Sequence, residues 1–166
     1  MRSSNPRRCA SLLALALAAV ASAGGAQGES AKDLYRKGYL LEKDGGDLDA
    51  ACKLYHQSYE LAAKAQSALK SAFCDARGGK LVSAKRKYQQ GVLALAKLKQ
   101  TKARDALLAL ANGRLAALAK RIPTLRLTVF PSAATVSLDG KRLRASELAK
   151  PIELDPGTHH LVASAP

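Results

Sequence analysis

The residues of this chain able to do acid–base, nucleophilic or metal chemistry are few: three histidines, three cysteines and thirteen carboxylates among 166 residues. His56 lies beside Tyr55 in a helical pattern and reads as an exposed polar position. His159 and His160 are adjacent and follow a turn. On a strand they alternate faces, so the two rings cannot close on one metal ion. Cys52 and Cys74 have no His or Cys at ligand spacing, which argues against zinc. There is no nucleophile elbow, phosphate loop or paired-histidine zinc signature. The carboxylates are too scattered to supply an acid and a base to one pocket. The reading is therefore non-catalytic: no catalytic residue, no cofactor and no metal ligand is assigned.

Compartment is legible at the start of the chain. Arg2, Arg7 and Arg8 precede an uninterrupted apolar run over 12–21, and Ala21-Ser22-Ala23 supplies a small-x-small cleavage site. This pattern predicts a signal peptide over 1–23, with 24–29 as linker. The run is too short for a membrane-spanning helix. Arg7-Arg8 is followed by Cys9-Ala10-Ser11, without the apolar bulk of a twin-arginine signal. Cys9 precedes the run and does not occupy a lipoprotein position. The expected location is periplasmic or secreted after cleavage, where conditions are oxidising.

The remaining residues suffice for one domain or two small ones. Alanine and leucine dominate, aromatics make up 4% and tryptophan is absent, which favours helices over extensive β-structure. The three arginines of 1–23 belong to a total of 27 basic residues. What remains has 24 bases against 13 acids, net +11, a statement about partners and not about fold.

Segments 46–55 and 79–88 align without gaps at a spacing of 33, with Gly, Leu, Ala and Tyr recurring at matching places. A period of this length is that of a helix-turn-helix solenoid. The pattern resembles the tetratricopeptide repeat, and the resemblance covers two degenerate repeats over 30–100. It implies that Gly46 and Gly79 close the first helix of each repeat in a left-handed cap. Ala51 and Ala84 would sit at the close helix crossing, with Gly38 as the small residue of the first helix. Tyr55 and Tyr88 would fill the groove between repeats. In 101–122, Leu107, Leu108, Leu110, Ala111, Leu115 and Leu118 recur at helical spacing and predict a capping helix, bent or broken at Asn112-Gly113.

In this alignment Cys52 falls early in the second helix of repeat one and Cys74 in the first helix of repeat two. The helices run antiparallel about a turn near Ala63, the midpoint of 52 and 74, so the thiols stand at one height. Together with export, that height suggests a disulfide between Cys52 and Cys74. Two buried free thiols, packed as small apolar residues, are the alternative.

The texture changes at Pro123. Segments 125–130, 135–138, 151–154 and 159–163 read as short strands, separated by turns at Asp139-Gly140 and Asp155-Pro156-Gly157. The segment 123–166 resembles the PEGA module, a small antiparallel β-sandwich. Pro131, Ala134, Asp139, Gly140, Pro156, Gly157 and His159 carry the resemblance, and Ala133 stands where the motif has Gly. Only about four short strands fit, so the module reads as incomplete: either the sequence is truncated, or an open edge remains for a partner strand. The fold class is mainly α: helical hairpins, a capping helix and this β module.

Between Lys80 and Arg121 there are eleven basic residues and one acid, Asp105. Lys85, Arg86, Lys87, Lys97, Lys99, Lys102 and Arg104 form the dense parts and define a candidate basic surface. The resemblances imply interaction, not chemistry. They point to an exported, envelope-associated adaptor or scaffold for a protein or peptide partner. The alternative is a binder of an anionic envelope polymer, carbohydrate or membrane surface through the basic helical face. Nucleic acid is disfavoured, because no reading motif with stacking aromatics is present.

Overall fold

Three helix starts in this chain coincide with side chains just before them that take up free backbone N–H donors. In a computed structural model describing residues 29–165, Ser30 caps α1 (Ala31–Lys43), its hydroxyl accepting from Asp33 N–H at 3.2 Å. Asp47 caps α2 (Leu48–Leu61) through Asp49 N–H and Ala50 N–H at 2.8 and 3.2 Å. α3 (Ala65–Arg77) lacks a side-chain cap; Ser67 ties the preceding turn by donating to the Ala62 and Lys64 carbonyls. α4 (Leu81–Ala96) also lacks a cap from its own end. Thr101 caps α5 (Lys102–Ala119). The predicted signal peptide and most of the linker fall outside the described residues.

The helices pack in chain order, α1 on α2, α3 on α4, and then α5 on α4. Ala51, Ala68, Ala72, Ala84 and Tyr55 are wholly buried, and Tyr88 nearly so. Backbones approach closely at two crossings. A Cβ on Gly38 would lie 3.1 Å from both the Ala51 carbonyl oxygen and the Tyr55 ring. One on Gly91 would lie 2.6 Å from Leu69 Cδ2. The left-handed turn residue of the second hairpin is Gly79, φ +78°. In the first hairpin it is Gly45, φ +70°, not Gly46 as the alignment required. Gly46 is small for another reason: a Cβ there would stand 2.9 Å from the Leu41 carbonyl oxygen. α5 runs unbroken through Asn112-Gly113, so the expected break is absent. One glycine costs a helix about 1 kcal/mol relative to alanine, and the flanking Ala and Leu residues carry it.

The C-terminal part is a small antiparallel β module built on two sheets, one of two strands and one of three. β1 (Thr124–Leu125) pairs with β4 (Ile152–Glu153). β2 (Thr135–Leu138) lies between β3 (Lys141–Arg142) and β5 (Leu161–Ser164), with a single helical turn, α6 (Ala145–Leu148), after β3. Asp139 and Gly140, with φ +49° and +77°, form the expected tight turn between β2 and β3. The predicted strand over 125–130 shrinks to Thr124–Leu125. Its partner β4 follows Pro151, which has no N–H, and soon enters the turn at Asp155. Leu125, Leu127 and Val129 nevertheless pack on the module's core of Val136, Leu138 and Leu143.

Candidate functional site

The helical layers bring together a groove, a buried polar cluster and a tethered β module. α1, α3 and α5 contribute to the groove, a cavity of about 290 Å³. Tyr35, Leu69, Phe73, Leu107 and Leu110 line its apolar part, and Arg114 stands at its margin. Leu110 remains 56% exposed although it belongs to the predicted apolar stripe of α5. That stripe is only partly used for packing, because Ala111 and Leu118 alone are fully buried. On the opposite side Lys70 donates to both Glu42 carboxylate oxygens at 2.7 Å. Tyr55 O–H donates to Glu42 Oε2 at 2.5 Å. Burial would raise the Glu42 carboxyl, but the Lys70 and Tyr55 hydrogen bonds outweigh it and hold the group below its usual range. Burial and the Glu42 carboxylate push the Tyr55 phenol far above its usual value. Arg114 makes no ion pair among the described residues. The cavity lies at the lower limit for a small-molecule site. Its size suits one or two side chains of an extended segment, and the guanidinium suits a carboxylate beside them.

Cys52 and Cys74 face one another from α2 and α3, as their common height predicted. Their Sγ atoms are 1.99 Å apart and their Cα atoms 5.6 Å, which is a disulfide. Both Cys74 and its neighbours Ala51 and Tyr55 belong to one core cluster.

His56 is not the exposed polar residue that the sequence suggested. Its Nδ1 is 2.6 Å from Ser71 Oγ, and its Nε2 is 3.6 Å from Asp75 Oδ1. Lys87 Nζ donates to Ser71 Oγ at 2.8 Å and pairs with Asp75 Oδ2 at 2.8 Å. Ser83 O–H donates to the same Asp75 oxygen at 2.7 Å. These contacts assign Nδ1 of His56 as the acceptor and leave the ring neutral. Burial first, and then the Lys87 ammonium, lower the His56 pKa. A serine within reach of both a lysine and a histidine could in principle be a nucleophile. Here Ser71 is fully buried, and Lys87 is engaged by the Asp75 carboxylate at 2.8 Å. The cluster ties α2, α3 and α4 together. Ser71 and Asp75 lie four residues apart on the inner face of α3. That polar interruption among Ala68, Ala72 and Cys74 was the one sequence signal for it.

The basic residues divide into two groups. Lys87 is withdrawn into the buried cluster, its side chain 11% exposed, so its place on the proposed basic surface is corrected. Lys85 pairs with Glu153 of β4, while Arg86 is exposed. Lys97, Lys99 and Lys102 are exposed at the other end of α4. Arg104 folds back, donating to the Leu95 carbonyl at 3.2 Å and the Ala96 carbonyl at 3.3 Å while it pairs with Asp105.

In the β module, His159 joins two turns. Its Nδ1 is 2.6 Å from Asp139 Oδ2 and its Nε2 is 2.7 Å from the Asp155 carbonyl. Both ring nitrogens face acceptors, so the imidazolium fits best. The Asp155 carbonyl and the Asp139 carboxylate raise its pKa. The hydrogen bonds from His159 and from His160 N–H lower that of Asp139. Pro156 and Gly157 shape the turn between these groups, with Gly157 at φ +142°. Pro131 and Ala134 close the turn before β2 through Ala134 N–H to the Pro131 carbonyl at 3.0 Å. Asp155 also reaches outside the module. Its Oδ1 accepts from Val82 N–H at 2.8 Å and so supplies the missing cap of α4.

Among the described residues no helix is long and apolar enough to cross a membrane, and no cluster of three or more His, Cys, Asp or Glu is disposed to hold a metal. No protein-family model, curated protein or solved structure matches this chain.

Proposed function

We propose that this chain is an exported, envelope-associated, non-catalytic adaptor that holds a segment of a protein partner. Two tetratricopeptide-like hairpins and the capping helix α5 would form the binding part, and the PEGA-like module would orient it in the envelope. The observation that carries this reading is the α1–α3–α5 groove, where Leu69, Phe73, Leu107 and exposed Leu110 stand beside Arg114, which has no ion pair among the described residues. Apolar contact with an arginine at the edge is the composition of a binding hot spot. The tyrosine and alanine positions that seal each hairpin support the repeat resemblance. The His159–Asp139 contact across two turns supports the module resemblance.

Capture of partners from envelope extract on immobilised protein, at low and high salt, tests the proposal. The expected result is a specific partner retained at high salt and lost with Leu110→Asp or Arg114→Ala. Retention that disappears with salt alone, unaffected by Leu110→Asp, would favour the anionic-polymer reading. That second reading draws on Lys97, Lys99 and Lys102, since Lys85 and Lys87 are engaged in ion pairs.

A further inference from the structure

The end of the helical stack opposite the β module has a surface unlike the rest. The α2–α3 turn and the α4–α5 loop meet there, and residues 63–66 with Leu93, Leu95, Lys97, Leu98, Arg104 and Leu107 line one open groove of about 900 Å³. Three leucines of this end are largely exposed: Leu61 at 62%, Leu93 at 64% and Leu98 at 55%. Between and around them stand Lys64, Lys97, Lys99 and Lys102, all exposed and without ion pairs among the described residues. From 76 to 104 the chain contains no acid. On α2 to α5, the acids of this end are Glu60 and Asp105, and Asp105 is held by Arg104. The loop is also pinned. Arg104 binds the last carbonyls of α4, and Thr101 caps α5.

We propose that this end docks on an anionic phospholipid surface. Lys97, Lys99 and Lys102 would lie against the headgroups, with Leu93 and Leu98 entering the interface. Charge sign selects an anionic partner, and the alternation Lys97-Leu98-Lys99 selects a surface that offers both charge and an apolar layer. A bilayer interface offers both within a few ångströms. A soluble polyanion would use the lysines and leave the leucines in water. The apolar groove behind Leu98, opening at the same end, gives an acyl chain a place to go. Gln66 and Leu107 line both grooves, but Lys97, Leu98, Lys99 and Lys102 line no part of the α1–α3–α5 groove, so the inference rests on different residues from the partner-binding proposal.

Co-sedimentation of the purified protein with phosphatidylcholine vesicles, with and without phosphatidylglycerol, is the test. Binding is expected only to vesicles containing phosphatidylglycerol. Three lysines near such a surface together contribute on the order of a hundredfold in affinity, so K97E/K99E/K102E should abolish sedimentation. Leu98→Asp should weaken it at least tenfold. Arg114→Ala, in the other groove, should leave it unchanged. Circular dichroism of each variant checks that the helices persist, and the substituted positions are all exposed. No binding to phosphatidylglycerol vesicles would overturn the proposal. So would binding unaffected by Leu98→Asp and matched by equal affinity for soluble polyphosphate, because charge alone would then account for it.

Discussion

The helical stack and the β module solve the problem of a small core in different ways. The stack seals whole residues: Ala51, Ala72, Ala84 and Tyr55 have no exposed surface, and a disulfide and a buried ion cluster lie within it. The module has three buried apolar residues, Val136, Leu138 and Leu143, and all four residues of β5 are exposed. It makes up the difference with contacts between turns and with two contacts to α4, Asp155 to Val82 N–H and Glu153 to Lys85. The stack depends on burial and the module on polar ties, so different perturbations should break each.

The largest effect is expected from Asp75→Ala. It leaves the Lys87 ammonium, whose side chain is 11% exposed, without its carboxylate. Breaking a buried pair in this way costs about 3–5 kcal/mol. Urea unfolding followed by helical circular dichroism should show the loss. Reduction of Cys52–Cys74 comes next. The sequence separation is 22, and closing such a loop contributes roughly 3 kcal/mol on the chain-entropy model. The melting temperature should fall by several degrees, and Cys52→Ser/Cys74→Ser should melt at the same reduced value under oxidising and reducing conditions.

Asp155→Ala sharpens the comparison because it touches both regions. Loss of a helix cap costs about 1 kcal/mol, here spent on α4 although the substitution lies in the β module. Hydrogen exchange should show faster exchange of the first α4 amides in the variant. In the parent protein, amides over 161–164 should exchange well before those over 51–55. Equal, strong protection in both would mean that the module is as stable as the stack.

Much of this division was legible in the residues themselves, and what was missed has a physical pattern. Ala51, Tyr55, Ala84 and Tyr88 declared themselves because a 33-residue spacing repeats the same local packing. The cysteines did so because antiparallel helices turn sequence separation into height. His56 and Lys87 were misread because each is polar on a helix. Their burial depends on Ser71 and Asp75, which lie on another helix and show in the sequence only as a polar interruption of its apolar face. Asp155 was recognisable as a turn residue. That it caps a helix starting 73 residues earlier follows only from how the two regions meet. The shift of the left-handed turn residue from Gly46 to Gly45 is a smaller miss of the same kind, settled by the Leu41 carbonyl.

The smallest effect expected is a pH response of opposite sign in the two regions. The His56 pKa is lowered in the folded stack. Its contribution is therefore present above the ordinary histidine value and is lost as pH falls below about 6.5. The His159 pKa is raised. Its contribution is complete below that value and is lost as pH rises through the folded pKa. Asp139, lowered by the same contact, contributes above the ordinary carboxylate range and loses that contribution as pH falls through its folded value. Backbone amide exchange at mildly acidic and mildly alkaline pH, corrected for intrinsic rates, should show the stack loosening toward acid and the His159 turns loosening toward alkali. His56→Gln and His159→Gln should each remove one of the two trends.

The hydrogen bond from Val82 to Asp155 also sets an order of events for a chain that emerges from its amino end. Ser30, Asp47 and Thr101 cap α1, α2 and α5 from the residues just before them, and α3 has no side-chain cap. The first turn of α4 gains its side-chain acceptor only once residue 155 has followed. The closing stretch thus acts as a latch, and a chain cut off before it would carry its own sign of incompleteness: an unfastened helix end, open to whatever surveys unfinished proteins.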